Sequence, residues 1–326
     1  MSVDVETPER ARPEPIQAVP VRHPGRWLAV AVIGVLVAMF VHLLVTNKAF
    51  NWSMMVDEMF RPPIIAGLRG TIALLVFSML IGIGLGIVIA IMRLSPNPIL
   101  KGVAWVYTWF FRAVPRLVLG LVFGNLGLLW SRLEFGLPFD RQIGALFGVH
   151  DFEARLFGFS ARDILTGFVA GVLALGLSEA AYMAEIVRAG IQSVDEGQTE
   201  AAQALGLSRG QIMRRIVLPQ AMRVIIPPTG NETIAMLKDT SLVAYVPVTG
   251  ELFFQLKAVV SRTYQAFPMY VAATLWYLFL TSILLVGQYY LERHFSKGFG
   301  RSERARQRLR DITAESGGNA SGTAER

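Results

Sequence analysis

Apolar residues run along this chain in long blocks, with polar residues confined to the gaps between them. Five blocks are nearly unbroken: Trp27–Thr46, Gly67–Met92, Gly102–Leu129, Thr166–Gly190 and Tyr270–Leu291. A sixth, Val224–Val246, is interrupted by Pro227-Pro228, Gly230, Asn231, Glu232, Lys238 and Asp239. About 20 apolar residues in a helix cross the hydrocarbon core of a bilayer. The pattern predicts an all-α integral membrane protein of about six transmembrane helices. Trp27–Thr46 exceeds a secretory h-region, and Thr46-Asn47-Lys48 is a poor cleavage site, so residues 27–46 read as a retained span. Pro227, Pro228 and Gly230 predict a broken helix that exposes backbone amide and carbonyl groups at depth. The stretch Ser131–Leu165, rich in Phe, Leu and Gly, predicts a packed flap or short interfacial helices. Residues 1–26 and 300–326 have little to bury and read as disordered tails.

Composition agrees: 53% hydrophobic and 17% charged residues, with a mean hydropathy of +0.47, are too apolar for an ordinary soluble domain. No cysteine is present, which removes disulfides and thiolate metal ligands, and no other metal-ligand pattern stands out. The net charge of +7 is explained by its placement. With the N-terminus inside, alternate segments put nineteen Lys and Arg residues on the inner side and nine on the outer side. Arg112, Arg116 and Lys238 fall within spans. That bias is a topology signal with both termini cytoplasmic. It gives no support to nucleic-acid binding, which lacks an aromatic-basic motif here.

The polar island at residues 191–220 then faces the cytoplasm. Asp195 with Gln198, and Ser208 with Gln211, have capping-box spacing for two short helices. Gly206 between them permits the positive φ of a helix stop. Pro219 ends the second helix or begins the next element. On the second helix Ile212, Met213 and Ile216 form an apolar stripe, with Arg214 and Arg215 on another side.

Glu200-Ala201-Ala202, then Gly206, Ile216 and Leu218-Pro219 at their spacing in this chain, resemble the EAA signature of the permease subunits of ABC importers. Phe111-Arg112-Ala113-Val114-Pro115, the run from Ala181 to Gly190, and Lys238-Asp239-Thr240-Ser241-Leu242 are similar to the polar amino-acid branch of that family. The resemblance spans residues 64–293. It implies a five-helix permease core plus one extra N-terminal helix. It also implies that the island is a coupling loop, with Glu200 contacting a cytoplasmic ATPase and Gly206 turning the loop. The implied partners are an ABC ATPase dimer, a second permease subunit of the same or a related kind, a separate extracytoplasmic amino-acid-binding protein, and membrane lipid. The expected location is the bacterial cytoplasmic membrane. The chain has no G-x-x-x-x-G-K-[ST] run, so ATP and Mg²⁺ are assigned to the partner and no cofactor to this chain. Gly82, Gly84 and Gly86 form a G-x-G-x-G run inside a span, where close helix packing is the better reading.

Charges within spans point to function or to cross-helix pairing. Glu179 and Glu232 fall near mid-depth, and either suits a substrate ammonium. Asn231, Thr240 and free amides suit a substrate carboxylate. Glu185 and Lys238 complete the set for a substrate path. The alternative is that Glu179, Glu185, Arg188, Glu232, Lys238 and Asp239 pair with one another. Glu179 departs from the small or hydroxyl residue common in the family, which points to a cationic substrate or to a local ion pair. Arg112 reads as snorkelling to headgroups, and Pro115 as a kink. An ion-coupled secondary transporter and a membrane scaffold remain as alternative functions; the signature counts against the first and the intramembrane charges against the second.

Overall fold

The computed structural model describes residues 24–129, 132–137, 139–148, 152, 154–160, 167–246 and 248–295. The tails expected at 1–26 and 300–326 lie outside these residues, apart from the start of the first helix. Residues 1–50 and 51–326 are two separate units. The first contributes α1 (Pro24–Thr46), apolar along its length, and a 3₁₀ turn at Lys48–Phe50. Its 23 residues reach about 34 Å, enough to span a bilayer.

The second unit begins with α2 (Trp52–Met59), α3 (Pro62–Leu94), α4 (Pro98–Ala113) and α5 (Arg116–Leu129). A loop region follows, with β1 (Arg132–Gly136), α6 (Asp140–Leu146) and β2 (Arg155–Ser160). Then come α7 (Gly167–Gln192), α8 (Glu196–Ala204), α9 (Arg209–Ile212), a π turn at Met213–Val217, and α10 (Leu218–Asp239). A 3₁₀ turn (Thr240–Tyr245), α11 (Leu252–Thr263) and α12 (Ala266–Phe295) complete it.

The helix α7 is the centre. It is the most buried of the long apolar helices, and α3, α4, α5 and α10 all pack on it. Its buried positions are mostly small: Ala170, Gly171, Ala174, Gly176, Ser178, Ala180, Ala181 and Ala184. Between helices in lipid there is no hydrophobic drive to associate, so close backbone approach supplies the attraction. The glycine run of α3 serves this purpose at two of its three positions. A Cβ on Gly82 would meet Glu179 Cγ at 2.5 Å, and one on Gly86 would meet Met183 Cβ at 2.6 Å. Gly84 faces away, with nothing within 4 Å.

The helices α1, α3, α7 and α12 are each long and apolar enough to cross a membrane. The block Gly102–Leu129 is a pair, α4 and α5, bent by 102°. The residue before a proline is pushed out of the helical region, and Val114 is extended at φ −88°, ψ 129°. Pro115 does more than kink the helix, therefore; it divides the block in two.

The sixth block differs from expectation in the other direction. Pro227 and Pro228 do not break α10, which runs through both. Each proline removes one helical hydrogen bond, and the freed carbonyls belong to Arg223 and Val224, both exposed. The Pro227 carbonyl also accepts from Gln288 Nε2 at 3.5 Å. At 22 residues α10 is long enough to span, but it is more polar than the other spans. The break comes later, at the 3₁₀ turn from Thr240. In the loop after α5 the flap is a two-stranded antiparallel ribbon with α6 between its strands. Phe135 stacks on Phe157 across it at 5.2 Å, a cross-strand pair that short helices would not make.

The α3–α7 contact gives a direct test. Gly86→Leu is expected to destabilise the protein by about 1–3 kcal/mol through overpacking, whereas Gly84→Leu is expected to leave thermal unfolding in detergent unchanged.

Candidate functional site

Two sites lie along α7 and α10. The first is the loop between them, the candidate coupling loop. Asp195 caps α8, its Oδ1 accepting from Gly197 N at 2.8 Å. At the other end Gly206 has φ +79°, Gly206 N donates to Gln203 O and Leu207 N to Ala202 O. This is the glycine helix stop in which two successive amides reach back to the last turn. Ser208 and Gln211 close a reciprocal capping box, with Ser208 N donating to Gln211 Oε1 at 2.9 Å. Gln198 does not close the first box; its Oε1 accepts instead from Gln220 Nε2 at 2.6 Å, tying α8 to the start of α10.

The loop has its own small core. Ala202, Ile212 and Val217 are buried, with Leu207 and Ile216 packed on them. Met213, assigned by sequence to the same stripe, is exposed because the π turn begins there and shifts its direction. The signature residues thus divide in two. Ala202 and Ile216 hold the loop together, and Gly206 turns it. Glu200, Ala201, Leu218 and Pro219 are exposed, as is Leu205, and Glu200 has no ion-pair partner among the described residues. Pro219 occupies the first turn of α10, where a proline's missing N–H is harmless, so it begins that helix.

The second site is a charge cluster. Arg116, the first residue of α5, places one guanidinium among three carboxyl groups. Its Nη2 lies 2.8 Å from Glu179 Oε2 and 3.7 Å from Glu232 Oε2, and its Nη1 lies 2.6 Å from Asp239 Oδ2. Glu179 is wholly buried at the middle of α7; Glu232 and Asp239, on α10, are partly open. The ring of Tyr182, one turn beyond Glu179, carries the Arg116 guanidinium at 5.0 Å and that of Arg112 at 5.5 Å. Glu179 Oε1 is buried with no hydrogen-bond partner. A buried carboxylate needs a cation and filled lone pairs. Here one cation serves three acids, and the cluster is cation-poor.

The remaining predicted path residues separate. Glu185 pairs with Arg93 at 3.2 Å and with Arg188 at 2.6 Å, joining α3 to α7 toward their C-terminal ends. Asn231 Oδ1 accepts from Gln288 Nε2 at 2.9 Å. Thr240 is buried and its hydroxyl returns to Leu237 O at 2.7 Å. Lys238 is exposed and opens into a different cavity of about 680 Å³, with Tyr245, Phe253, Tyr270 and Tyr277. The structure therefore joins Glu179 and Glu232 and sets Glu185, Asn231, Lys238 and Thr240 apart from them.

Sequence reasoning left Arg116 without a role, although a cation directly after a helix-breaking proline in an apolar block was a usable signal. It also passed over Glu251. That carboxylate is fully buried and accepts from Tyr277 OH at 2.5 Å, Thr71 Oγ1 at 3.0 Å and Phe254 N at 2.9 Å, joining α3, α11 and α12. Its place just before an apolar helix is that of a cap.

Glu185→Gln is expected to lower stability by about 1–3 kcal/mol, since two arginines lose a charged acceptor. Thermal unfolding measures this loss, and an unchanged preference among substrates would mark Glu185 as structural.

Comparison with known proteins agrees with this layout. A family profile described as "Binding-protein-dependent transport system inner membrane component" matches residues 82–297. The arginine transport system permease protein ArgU of Corynebacterium glutamicum is 46% identical over 297 residues, covering 91% of this chain and 88% of that protein. The arginine ABC transporter permease protein ArtQ of Escherichia coli is 32% identical over 239 residues, covering 71% of this chain and 92% of that protein. A solved structure, "Crystal structure of an amino acid ABC transporter with histidines", superposes with a TM-score of 0.57 at 32% identity, covering 74% of this chain and 98% of that one. By its sequence and its fold, the chain belongs to the binding-protein-dependent transport system inner-membrane components, the permease subunits of ABC importers.

Proposed function

We propose that this chain forms the translocation path for a cationic amino acid in a bacterial ABC importer. The observation that carries the reading is the cluster at Arg116: three carboxyl groups from α7 and α10 around one guanidinium, beside an aromatic face. A second cation, on a substrate side chain, gains from the two partly open acids. Arg112, whose guanidinium lies 5.5 Å from the Tyr182 ring, is placed to receive the substrate carboxylate, and an arginine guanidinium stacks well on such a ring. The names of the relatives ArgU and ArtQ support the same class of substrate.

The chain works without catalysis of its own. An ATPase dimer binds ATP and Mg²⁺ and seats on the exposed face of the coupling loop, through Glu200 and Leu205. An extracytoplasmic binding protein delivers the amino acid. A second permease subunit, the same or related, completes the path, and lipid surrounds the rest. Both termini are cytoplasmic. The inner-side bias of Lys and Arg supports that orientation.

Reconstitution with the ATPase and binding protein in liposomes tests the substrate class. Arginine and lysine are expected to be taken up ahead of glutamine and glutamate, and a preference for glutamate would sink the reading. Glu232→Gln is expected to raise the arginine KM about tenfold, equivalent to one weakened charge contact. Glu200→Ala is expected to keep the chain inserted while reducing substrate-stimulated ATP hydrolysis about tenfold, a loss on the scale of one interfacial charge pair. Wild-type stimulation in that variant would leave the loop as a surface element. Reporters fused to residues 1 and 326 test the topology, and an extracytoplasmic signal from either end would overturn it.

A further inference from the structure

The bonding of Arg116 is lopsided. It reaches Glu179 through one nitrogen and one oxygen only, although a guanidinium and a carboxylate pair best through two parallel bonds. The second oxygen of Glu179 is buried and empty. Meanwhile the other nitrogen of Arg116 is committed to Asp239, and Glu232 is held at the loose distance of 3.7 Å. Glu179 is closed to solvent, while Glu232 and Asp239 are about a quarter and a third exposed. The two acids that a newcomer can reach are the two that Arg116 holds in addition to its buried partner. Gly82 leaves the room that Cβ and Cγ of Glu179 occupy.

We propose that Arg116 is a yielding occupant of this cluster: when a cationic side chain arrives, Arg116 withdraws onto both oxygens of Glu179 and releases Glu232 and Asp239 to the substrate. The inference rests on the cationic-substrate reading above. Arg116 in its present position is a competitor built into the chain. Its guanidinium is the same group as an arginine side chain and occupies the same carboxylates. The empty oxygen of Glu179 is the place reserved for its retreat. A neutral amino acid brings only the α-ammonium that every substrate shares, and its side chain offers Glu232 and Asp239 no cation in exchange for Arg116, so the cluster stays closed to that side chain. Specificity follows from exchange of like for like and does not need a fitted pocket.

The proposal makes the two partners of one ion pair act in opposite directions. Arg116→Ala removes the competitor, so the arginine KM is expected to fall relative to that for glutamine. If Arg116 holds the cluster about nine-tenths of the time, the ratio changes about tenfold. Glu179→Gln removes the second anionic oxygen and with it the retreat, so the arginine KM is expected to rise relative to glutamine, again about tenfold. Arg116→Lys, which lacks the fork, shifts the ratio in the same sense as Arg116→Ala but less, and serves if the alanine variant does not assemble; Glu179→Asp serves likewise for the glutamine variant. In parallel, methylguanidinium is added to the detergent-solubilised complex during thermal unfolding. It is expected to stabilise Arg116→Ala at concentrations about tenfold lower than the wild type requires. A purely structural ion pair predicts KM ratios that move the same way in both variants, or not at all, and either result overturns the proposal. Equal stabilisation of variant and wild type by methylguanidinium also overturns it. Arginine uptake by the wild-type complex is the separate control: its loss would defeat the cationic-substrate reading, whereas its presence with same-sign variants defeats only the role of Arg116.

Discussion

A carboxyl group buried at the middle of a membrane helix needs partners for its lone pairs and its charge, and much of this structure follows from meeting that demand at Glu179 with a cation. The cation is Arg116, and it is delivered by a break. If α4 ran straight on, its side would present residue 116 elsewhere; Val114 and Pro115 turn the chain by 102° and start α5 at Arg116. On the other side of α7, position 82 has to lack a Cβ, because Glu179 occupies that space. The same guanidinium then draws α10 in through Glu232 and Asp239. One buried acid thus ties α5, α7 and α10 together, with α3 shaped to fit. The π face of Tyr182 adds an interaction that favours guanidinium over ammonium geometry.

Glu251 meets a similar demand by a different solution. It too is fully buried, but it is satisfied by a tyrosine hydroxyl, a threonine hydroxyl and a backbone amide, all donors without charge. Nothing there is left over for a ligand. Glu185 is satisfied by two arginines toward the C-terminal end of α7. Of the three acids, Glu179 alone has a buried, unpartnered oxygen. Among acids at comparable depth, that contrast separates a site with capacity for change from two that are closed.

Much of the helical layout was legible in the sequence because burial in lipid demands long uninterrupted apolar runs, and α1, α3, α7 and α12 carry that signal strongly. The turn at Gly206 and the caps at Asp195 and Ser208 were legible for a local reason: each uses donors and acceptors within a few residues of itself. What failed was non-local. Pro227 and Pro228 suggested a break, but the carbonyls they free, on Arg223 and Val224, are exposed, and Gln288 holds the Pro227 carbonyl from a helix some sixty residues away. Gln198 had the spacing for a capping box, yet Gln220 took its side chain. The partners of Arg116 lie on two other helices, and no spacing within the sequence announces them. The Arg132–Ser160 ribbon was missed because its strands are short and separated by a helix, so neither shows a sustained alternation.

The two sites are connected by covalent geometry as well as by position. The chain passes from Glu179 and Glu185 along α7 into the loop between α7 and α10, and returns along α10 to Glu232 and Asp239. On the return side there is no hinge. The α9 helix continues through the π turn into α10, and α10 continues through its two prolines. On the outgoing side α7 ends at Gln192 and turns before α8, and the loop is then locked by Gln198–Gln220 and its own apolar core. The loop and the base of α10 are thus held as one piece, continuous along the chain with the residues that hold Arg116. The Arg93–Glu185–Arg188 pairing clamps α7 to α3 between the two sites, whereas the ion pairs of α10 among the described residues run to Arg116 alone. A shift of α10 would change the distances from Arg116 to Glu232 and Asp239 while leaving that to Glu179, on α7, in place. The division of the three acids between α7 and α10 is what would let a single guanidinium be shared in one state and surrendered in part in another.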